Sequence, residues 1–171
     1  MSAPSSESNS GSESRGPIRL TLRSTSGPDR LDGGWWPYSR DLAAELPDLV
    51  RAFPASRGRI VRALFSRPDW DSAPRRIPLS ERVLKVGSFP GDDTHVIVIQ
   101  TSNRESITLL VIPPSFSAGQ GAEALLAAST PGNTHHGEEV LREVTDQLDA
   151  DPASVWERHE DGTPVRRVVT A

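Results

Sequence analysis

Aromatic and arginine side chains that could bind an anionic group are concentrated in two short segments, 32–42 (DGGWWPYSRDL) and 70–76 (WDSAPRR). The six candidate ligand-binding residues are Trp35, Trp36, Arg40, Trp70, Arg75 and Arg76. Guanidinium groups make forked contacts with carboxylates and phosphates, and tryptophan rings stack on flat ligands. The pattern therefore predicts a non-enzymatic binding domain with an aromatic, arginine-lined groove. Its ligand would be an anionic small molecule or an acidic protein surface.

The tryptophan pair also has a purely structural interpretation. Trp35 and Trp36 are neighbours, and neighbouring side chains of an extended segment point to opposite sides. One ring can therefore pack in the core while the other lines a groove, or both rings can be buried. Gly33 and Gly34 precede the pair and allow a close backbone approach or an unusual turn. The sequence does not decide which ring is exposed.

Residues 51–85 form a second candidate site because they carry nine basic side chains against three acidic ones. Phe53, Phe65 and Trp70 lie among them. Basic residues interleaved with aromatic residues are typical of a surface for RNA or single-stranded nucleic acid. The alternative is a solvated face, or arginines that pair with an acidic helix near the C-terminus. Because the chain has no recognisable nucleic-acid-binding motif, this function is the alternative prediction.

Catalytic and metal-binding patterns are weak in this sequence. The chain has no cysteine, which excludes disulfides, thiolate catalysis and cysteine-bound zinc. His135 and His136 diverge on a helix and lack the spacing of a zinc site, so we expect no metal and no cofactor. His95 with a nearby carboxylate is the one group that would support an enzyme of unknown reaction. The carboxylates considered for it are Asp41, Asp92 and Asp93.

Composition divides the chain of 171 residues into three parts. Residues 1–16 are rich in serine, glycine and glutamate, which predicts a disordered tail. Residues 17–149 are expected to form one globular domain, and residues 150–171 a flexible C-terminal tail. No apolar run approaches the ~20 residues that span a bilayer, and the N-terminus lacks the pattern of a secretory signal. We therefore expect a soluble cytoplasmic protein with no membrane partner.

Hydrophobic periodicity predicts an α+β fold. The predicted strands are 18–23, 58–66, 82–89, 94–101 and 106–112, and the predicted helices are 40–53, 118–129 and 136–149. Ser39 is the expected N-cap of the first helix, and Pro47 lies inside that helix.

Turn residues predict how these strands pair. Residues 90–93 (PGDD) should join 82–89 and 94–101 as one hairpin, and residues 102–105 should join 94–101 to 106–112 as another. The last two strands are apolar on both faces, so we expect them at the centre of the sheet. The result would be a mainly antiparallel, curved sheet that can curl into a partial barrel, with one early inserted helix and two C-terminal helices.

Three separated motifs resemble a known family. These are LDGGWWPYSRDL at 31–42, followed by ELP at 45–47, then WDSAPRR at 70–76 and LLVIPP at 109–114. Together they resemble the signature of a family of small actinobacterial proteins of unknown function, over about residues 18–145. The resemblance implies an actinobacterial origin and a compact single domain. It brings no activity, so it assigns no catalytic residue.

Overall fold

The computed structural model describes residues 16–25, 27–89, 94–148, 156–158 and 164–166. Its strands are β1 (Leu20–Leu22), β2 (Gly33–Trp35), β3 (Ile60–Phe65), β4 (Arg76–Pro78), β5 (Val83–Ser88), β6 (Val96–Thr101), β7 (Ser106–Val111), β8 (Trp156–Arg158) and β9 (Pro164–Arg166). Its helices are α1 (Leu42–Ala52), α2 (Ala118–Ser129) and α3 (Gly137–Leu148). The predicted α+β class is therefore confirmed, with one early helix and two late ones.

The first seven strands form one open sheet in the order β1-β2-β7-β6-β3-β5-β4. The β2–β7 and β3–β5 pairs are parallel, and the other four pairs are antiparallel. The sheet is thus mainly antiparallel, as expected, but it is mixed and does not close. The prediction that β6 and β7 are central strands is confirmed. They pair as the expected antiparallel hairpin, with Val98 opposite Thr108.

The predicted hairpin between 82–89 and 94–101 is wrong. Strand β3 lies between β5 and β6 and pairs with both of them. The partner of β5 in a hairpin is instead β4, closed by a hydrogen bond from the Leu79 amide to the Arg82 carbonyl at 2.7 Å. β4 is only three residues long and ends in a proline, so the strand is too short to show a hydrophobic period. Residues 90–93, the expected turn, lie outside the described residues.

The two faces of the sheet are covered by different helices. One face carries α1 and a core in which Trp35, Phe65 and Leu46 are buried. The opposite face carries α2 and α3, whose buried residues pack with Trp36 and Leu110. Consecutive tryptophans therefore point to opposite sides of the sheet, as the extended segment predicted, and both are buried.

The start of α1 differs from the prediction. Asp41, not Ser39, is the N-cap, and its carboxylate accepts from the amides of Ala43 and Ala44. Ser39 lies two residues before the N-cap, and its hydroxyl donates to the buried carboxylate of Glu45 at 2.8 Å. Pro47 lies inside the helix, in its second turn, as the sequence predicted. Glu45 therefore binds the loop before the helix and orients Ser39 and its neighbours.

Gly33 is required by close packing, and Gly34 is tightly packed. A Cβ atom on Gly33 would lie 2.0 Å from the backbone oxygen of Thr21 on the neighbouring strand. A Cβ atom on Gly34 would lie 3.1 Å from the Cβ of Ala128 on α2. Of the two explanations that the sequence left open, the close backbone approach is the one observed.

The terminal segments are described only in part. Residues 1–15 of the predicted N-terminal tail lie outside the described residues. In the C-terminal region β8 and β9 pair as an antiparallel two-stranded sheet. None of the described helices is both long and apolar enough to cross a membrane.

Candidate functional site

The edge of the sheet at which β2, β3 and β7 end brings together the segments that follow these three strands. β2 and β7 run parallel, so Trp35 and Val111 at their carboxyl ends are paired. β6 is antiparallel to both β7 and β3, so the start of β6 lies beside the ends of those strands. Loops outside the carboxyl ends of strands are frequent ligand sites in sheets that contain parallel strands.

A pocket of about 250 Å³ lies at this edge. We call it the His95 pocket. Four of its lining residues are prolines, which fix their backbone and supply apolar walls. Its lining residues are Pro37, Ser39, Arg40, Pro68, Asp69, His95, Val111, Pro113, Pro114 and Ser115. The pocket is small, so it suits a small molecule rather than a polymer.

The chemically distinctive pair in this pocket is His95 and Asp69. The Nδ1 atom of His95 lies 2.9 Å from Oδ1 of Asp69. The Asp69 side chain is 2% exposed, whereas the His95 side chain is 33% exposed. The contact is an ion-pair contact rather than an aligned hydrogen bond, and neither carboxylate oxygen has a hydrogen-bond donor among the described residues. His95 is therefore the main polar neighbour of a buried carboxylate.

The contact with Asp69 implies a particular tautomer of His95. An ionised carboxylate favours a proton on the nitrogen that faces it, which is Nδ1. The neutral ring then has Nε2 as its free acceptor. His95 can in consequence present Nε2 to a ligand in the pocket.

The backbone of His95 is itself unusual. Its φ angle is 63°, in the left-handed region that non-glycine residues rarely adopt. The amide of Val111 donates to the His95 carbonyl at 2.8 Å, which holds the residue at the start of β6. Strained residues of this kind concentrate at functional sites, where the surrounding structure maintains them. The strain places the imidazole beside Asp69.

Arg40 forms the cationic rim of the pocket. Its Nε donates to Oδ1 of Asp71 at 3.0 Å, and its Nη2 donates to the Pro68 carbonyl at 2.9 Å. The Asp71 amide in turn donates to the Arg40 carbonyl at 3.0 Å. The guanidinium is about half exposed and Asp71 is 72% exposed, so a ligand anion can compete for this arginine at small cost.

The six residues predicted from the sequence lie in five places. Trp35 and Trp70 contact one another in the core, with ring centroids 5.5 Å apart. Both are at most 5% exposed, and neither lines the pocket. Arg40 lines the His95 pocket. Whether any of the six residues binds a ligand stays a prediction.

Trp36 is buried on the other side of the sheet. Its Nε1 donates to the Pro113 carbonyl at 3.1 Å, and the guanidinium of Arg19 stacks 3.6 Å from its ring centroid. Arg19 also contacts the ring of Tyr38 at 3.9 Å. Partial burial is the main influence on Arg19 and lowers its pKa, against the smaller opposing effects of Tyr38 and Glu45. Trp36 thus holds Pro113 in position at the pocket from behind.

Arg75 and Arg76 are separate from the His95 pocket. Arg75 lines a different cavity of about 370 Å³, together with Arg67 and Pro74. Arg76 is exposed on β4. The structure therefore places Arg40 in the same pocket as His95, whereas Arg75 lines a different cavity.

Asp69 is the functional candidate that sequence analysis missed. The carboxylates considered for His95 were Asp41, Asp92 and Asp93. Asp41 caps α1, and the other two lie outside the described residues. The sequence shows an acidic residue directly before Trp70, but nothing in the sequence links it to His95. Among the described residues, no group of three or more histidine or acidic side chains is placed to hold a metal ion.

Comparison with known proteins gives a family but no activity. No curated protein and no solved structure matches the chain. A family of unknown function, DUF5994, matches residues 19–128, which is more than half of the chain. The match includes the tryptophan pair, Arg40, Asp69 and His95. The actinobacterial origin implied by the resemblance stays a prediction. The chain belongs to the family of unknown function DUF5994.

Proposed function

We propose that the protein binds a small anionic molecule in the His95 pocket. The observation that carries the proposal is that one small, proline-walled pocket contains Arg40 and a histidine held by a buried carboxylate. Arg40 would receive the anionic group of the ligand, and His95 would contact a second polar group. Of the six residues that the sequence proposed for a binding groove, only Arg40 lines this pocket, and His95 and Asp69 line it as well.

The charges around the pocket favour a ligand with one anionic group. The Asp69 carboxylate lies against His95, and Asp71 already occupies one edge of the Arg40 guanidinium. A polyanion would meet both carboxylates. A small carboxylate or a phosphate monoester can share Arg40 and accept a hydrogen bond from His95.

The proposal predicts that binding depends on two particular side chains. The test uses ¹⁵N-labelled protein titrated with inorganic phosphate and with lactate. Amide shifts should concentrate around His95 and Asp69.

Two variants distinguish this pocket from the other arginines. Arg40→Gln and His95→Gln should each abolish the localised shifts, whereas Arg75→Gln, which removes the same charge at a separate cavity, should leave them unchanged. Shifts that are scattered over the surface, or that are equally sensitive to Arg75→Gln, would contradict the proposal.

Acid–base catalysis is a second candidate function because Asp69 orients His95 with Nε2 free. A carboxylate–histidine pair of this kind can remove a proton from a bound substrate. Deuterium wash-in at the methyl group of pyruvate, followed by proton NMR, tests this reaction class. Wild-type protein should accelerate exchange, and Asp69→Asn and His95→Gln should both remove the acceleration. If the wild type exchanges no faster than buffer, this pyruvate reaction is excluded and binding alone is retained.

A further inference from the structure

The sheet has an exposed region on the face opposite α1. The β1, β2 and β7 part of that face is in contact with α2. On β3, β4 and β5, by contrast, Arg62, Arg76 and Lys85 are exposed, and Leu64 and Gly87 are only half-buried. We call the exposed region on β3, β4, β5 and β6 the open face. A surface that mixes exposed cations with apolar groups is suited to a partner.

Three cations form a row across the open face. Arg62 on β3 is paired with Lys85 on β5, and Lys85 is paired with Arg76 on β4. Neighbouring strands lie ~4.8 Å apart, so the three backbone positions span about 10 Å. Like charges on directly opposite residues destabilise a sheet. None of the three has a carboxylate partner among the described residues, so the row is a cost to the folded protein that an anionic partner would remove.

Three other basic residues of the segment are less available. Arg51 pairs with Asp48 at 2.9 Å, and Arg57 pairs with Glu105 at 3.5 Å. Arg82 donates to the Ile60 carbonyl and is partly buried. The remaining basic residues of the segment are exposed but lie outside the row; they are Arg59, Arg67 and Arg75.

An apolar strip runs beside the row. Two residues further along the strands, about 7 Å away, Leu64 is paired with both Gly87 and Val98. Gly87 has no side chain, and a Cβ atom there would lie 3.1 Å from Cδ2 of Leu64. The strip is therefore shallow and flat, and a planar ring can lie on it.

A cavity of about 300 Å³ extends the open face beyond the strip. Phe89, Val98 and Thr108 line it, and Arg30 and His136 stand at its border. The Nη1 atom of Arg30 lies 3.3 Å from Nδ1 of His136. Cations are therefore present at both ends of an apolar surface that includes one aromatic ring.

We propose that the open face binds single-stranded nucleic acid, with phosphates on the Arg62–Lys85–Arg76 row and bases on the Leu64–Gly87–Val98 strip and against Phe89. A single strand alternates phosphates with flat apolar rings, and the open face alternates cations with a flat apolar strip in the same way. An acidic peptide would satisfy the cations but has no planar group for the strip. This surface is separate from the His95 pocket, so either proposal can fail without the other.

The test measures how salt affects binding of a labelled single strand. Full-length protein is titrated into a fluorescein-labelled oligouridylate of about 20 nucleotides, and anisotropy is read from about 50 to about 200 mM salt. For single strands the slope of log K against log salt is about −0.7 per neutralised phosphate, so three contacts give about −2 and a loss of affinity of about 20-fold over this range. A labelled polyglutamate peptide of equal charge is the comparison probe and should bind more weakly.

A matched pair of double variants assigns the site. Arg62→Gln with Lys85→Gln should reduce the slope to about −0.7 and weaken binding on the order of tenfold at the lower salt concentration. Arg51→Gln with Arg142→Gln changes the net charge equally, at exposed positions on α1 and α3, and should leave both quantities unchanged. Thermal melts check folding, and the open-face variant should melt no lower than wild type because it removes like-charge repulsion.

Several results would overturn the proposal. Lack of a measurable anisotropy change at the lower salt concentration shows that the face does not bind a single strand. Equal loss in the two double variants shows an effect of net charge only. Tighter binding of polyglutamate than of the oligonucleotide assigns the face to an acidic protein segment instead.

Discussion

A methyl group added at Gly121 would occupy the volume of the Trp36 ring. A Cβ atom built on Gly121 of α2 lies 2.3 Å from Cη2 and from Cζ3 of Trp36, and 2.5 Å from Cε3. Favourable carbon–carbon contacts are ~3.5–4.0 Å long, so the ring or the helix must move by roughly 1 Å or more. Gly121→Ala therefore measures how firmly α2 is packed on the sheet.

The ring of Trp36 cannot move without loss of other contacts. Its Nε1 donates to the Pro113 carbonyl, and the Arg19 guanidinium stacks on its face. Overpacking costs ~1–3 kcal/mol, and a broken buried hydrogen bond costs ~1–3 kcal/mol. Alanine stabilises a helix by ~1 kcal/mol relative to glycine. The expected net destabilisation of Gly121→Ala is thus about 3 kcal/mol, or a decrease in Tm of about 6–12 °C for a chain of this length.

Gly119→Ala is the matched control for this experiment. Gly119 lies in the same helix, and a Cβ atom there has nothing within 4 Å. The same substitution should therefore raise stability, by at most ~1 kcal/mol. Urea unfolding followed by far-ultraviolet circular dichroism gives both free energies of unfolding. If Gly121→Ala is as stable as Gly119→Ala, the packing of Trp36 against α2 does not limit the stability of this layer.

Three further predictions concern other parts of the fold. Asp32→Ala removes the buried carboxylate that accepts a hydrogen bond from the Thr108 amide at 2.9 Å. The free energy of unfolding measured in urea should fall by about 2 kcal/mol, and Asp32→Asn should cost less. Equal losses in the two variants would contradict this role of the Asp32 carboxylate. Gly33→Ala would place a Cβ atom 2.0 Å from a backbone oxygen, so it should cost about 3 kcal/mol or more in thermal melts, and a Tm within about 2 °C of wild type would refute the close approach. The His136 amide donates to Glu139, a bond that is the main reason why the pKa of this exposed carboxyl is lowered. The pKa of Glu139 is lower in the folded protein than in the unfolded chain, so the stability from this bond is present above the ordinary pKa and is lost as pH falls through the folded pKa. The chemical shift of the His136 amide should therefore change over that acidic range in wild type but not in Glu139→Gln.

Elements whose residues contact each other locally could be predicted from the sequence. α2 and α3 were predicted to within a residue or two of their observed bounds, because a helix buries one stripe of its own periodic pattern. The β6–β7 hairpin was predicted because both strands and their turn are adjacent in sequence. The partner of β5 was not, because its alternating pattern is equally compatible with β6, β4 or β3 as a neighbour.

The candidate site, too, could be predicted from the sequence only in part. Arg40 and His95 were identified as chemically capable groups from their residue types alone. Their meeting in one pocket depends on β6 lying beside the ends of β3 and β7, which pairs His95 with Asp69. Burial gives the Asp69 carboxylate its significance, and burial at a turn after a strand is a property of the assembled fold.

The sequence by itself determined the helices, the central strands and the placement of Trp35 and Trp36 on opposite sides of an extended segment. Each of these follows from side-chain periodicity over a few residues, which acts before distant parts of the chain meet. The tertiary structure decided the strand order, the burial of both tryptophans, the close backbone approach at Gly33, the Asp69–His95 pair and the row of Arg62, Lys85 and Arg76. The physical reason is that these features depend on which strands are neighbours, and that choice is made by the free energy of the whole packed sheet.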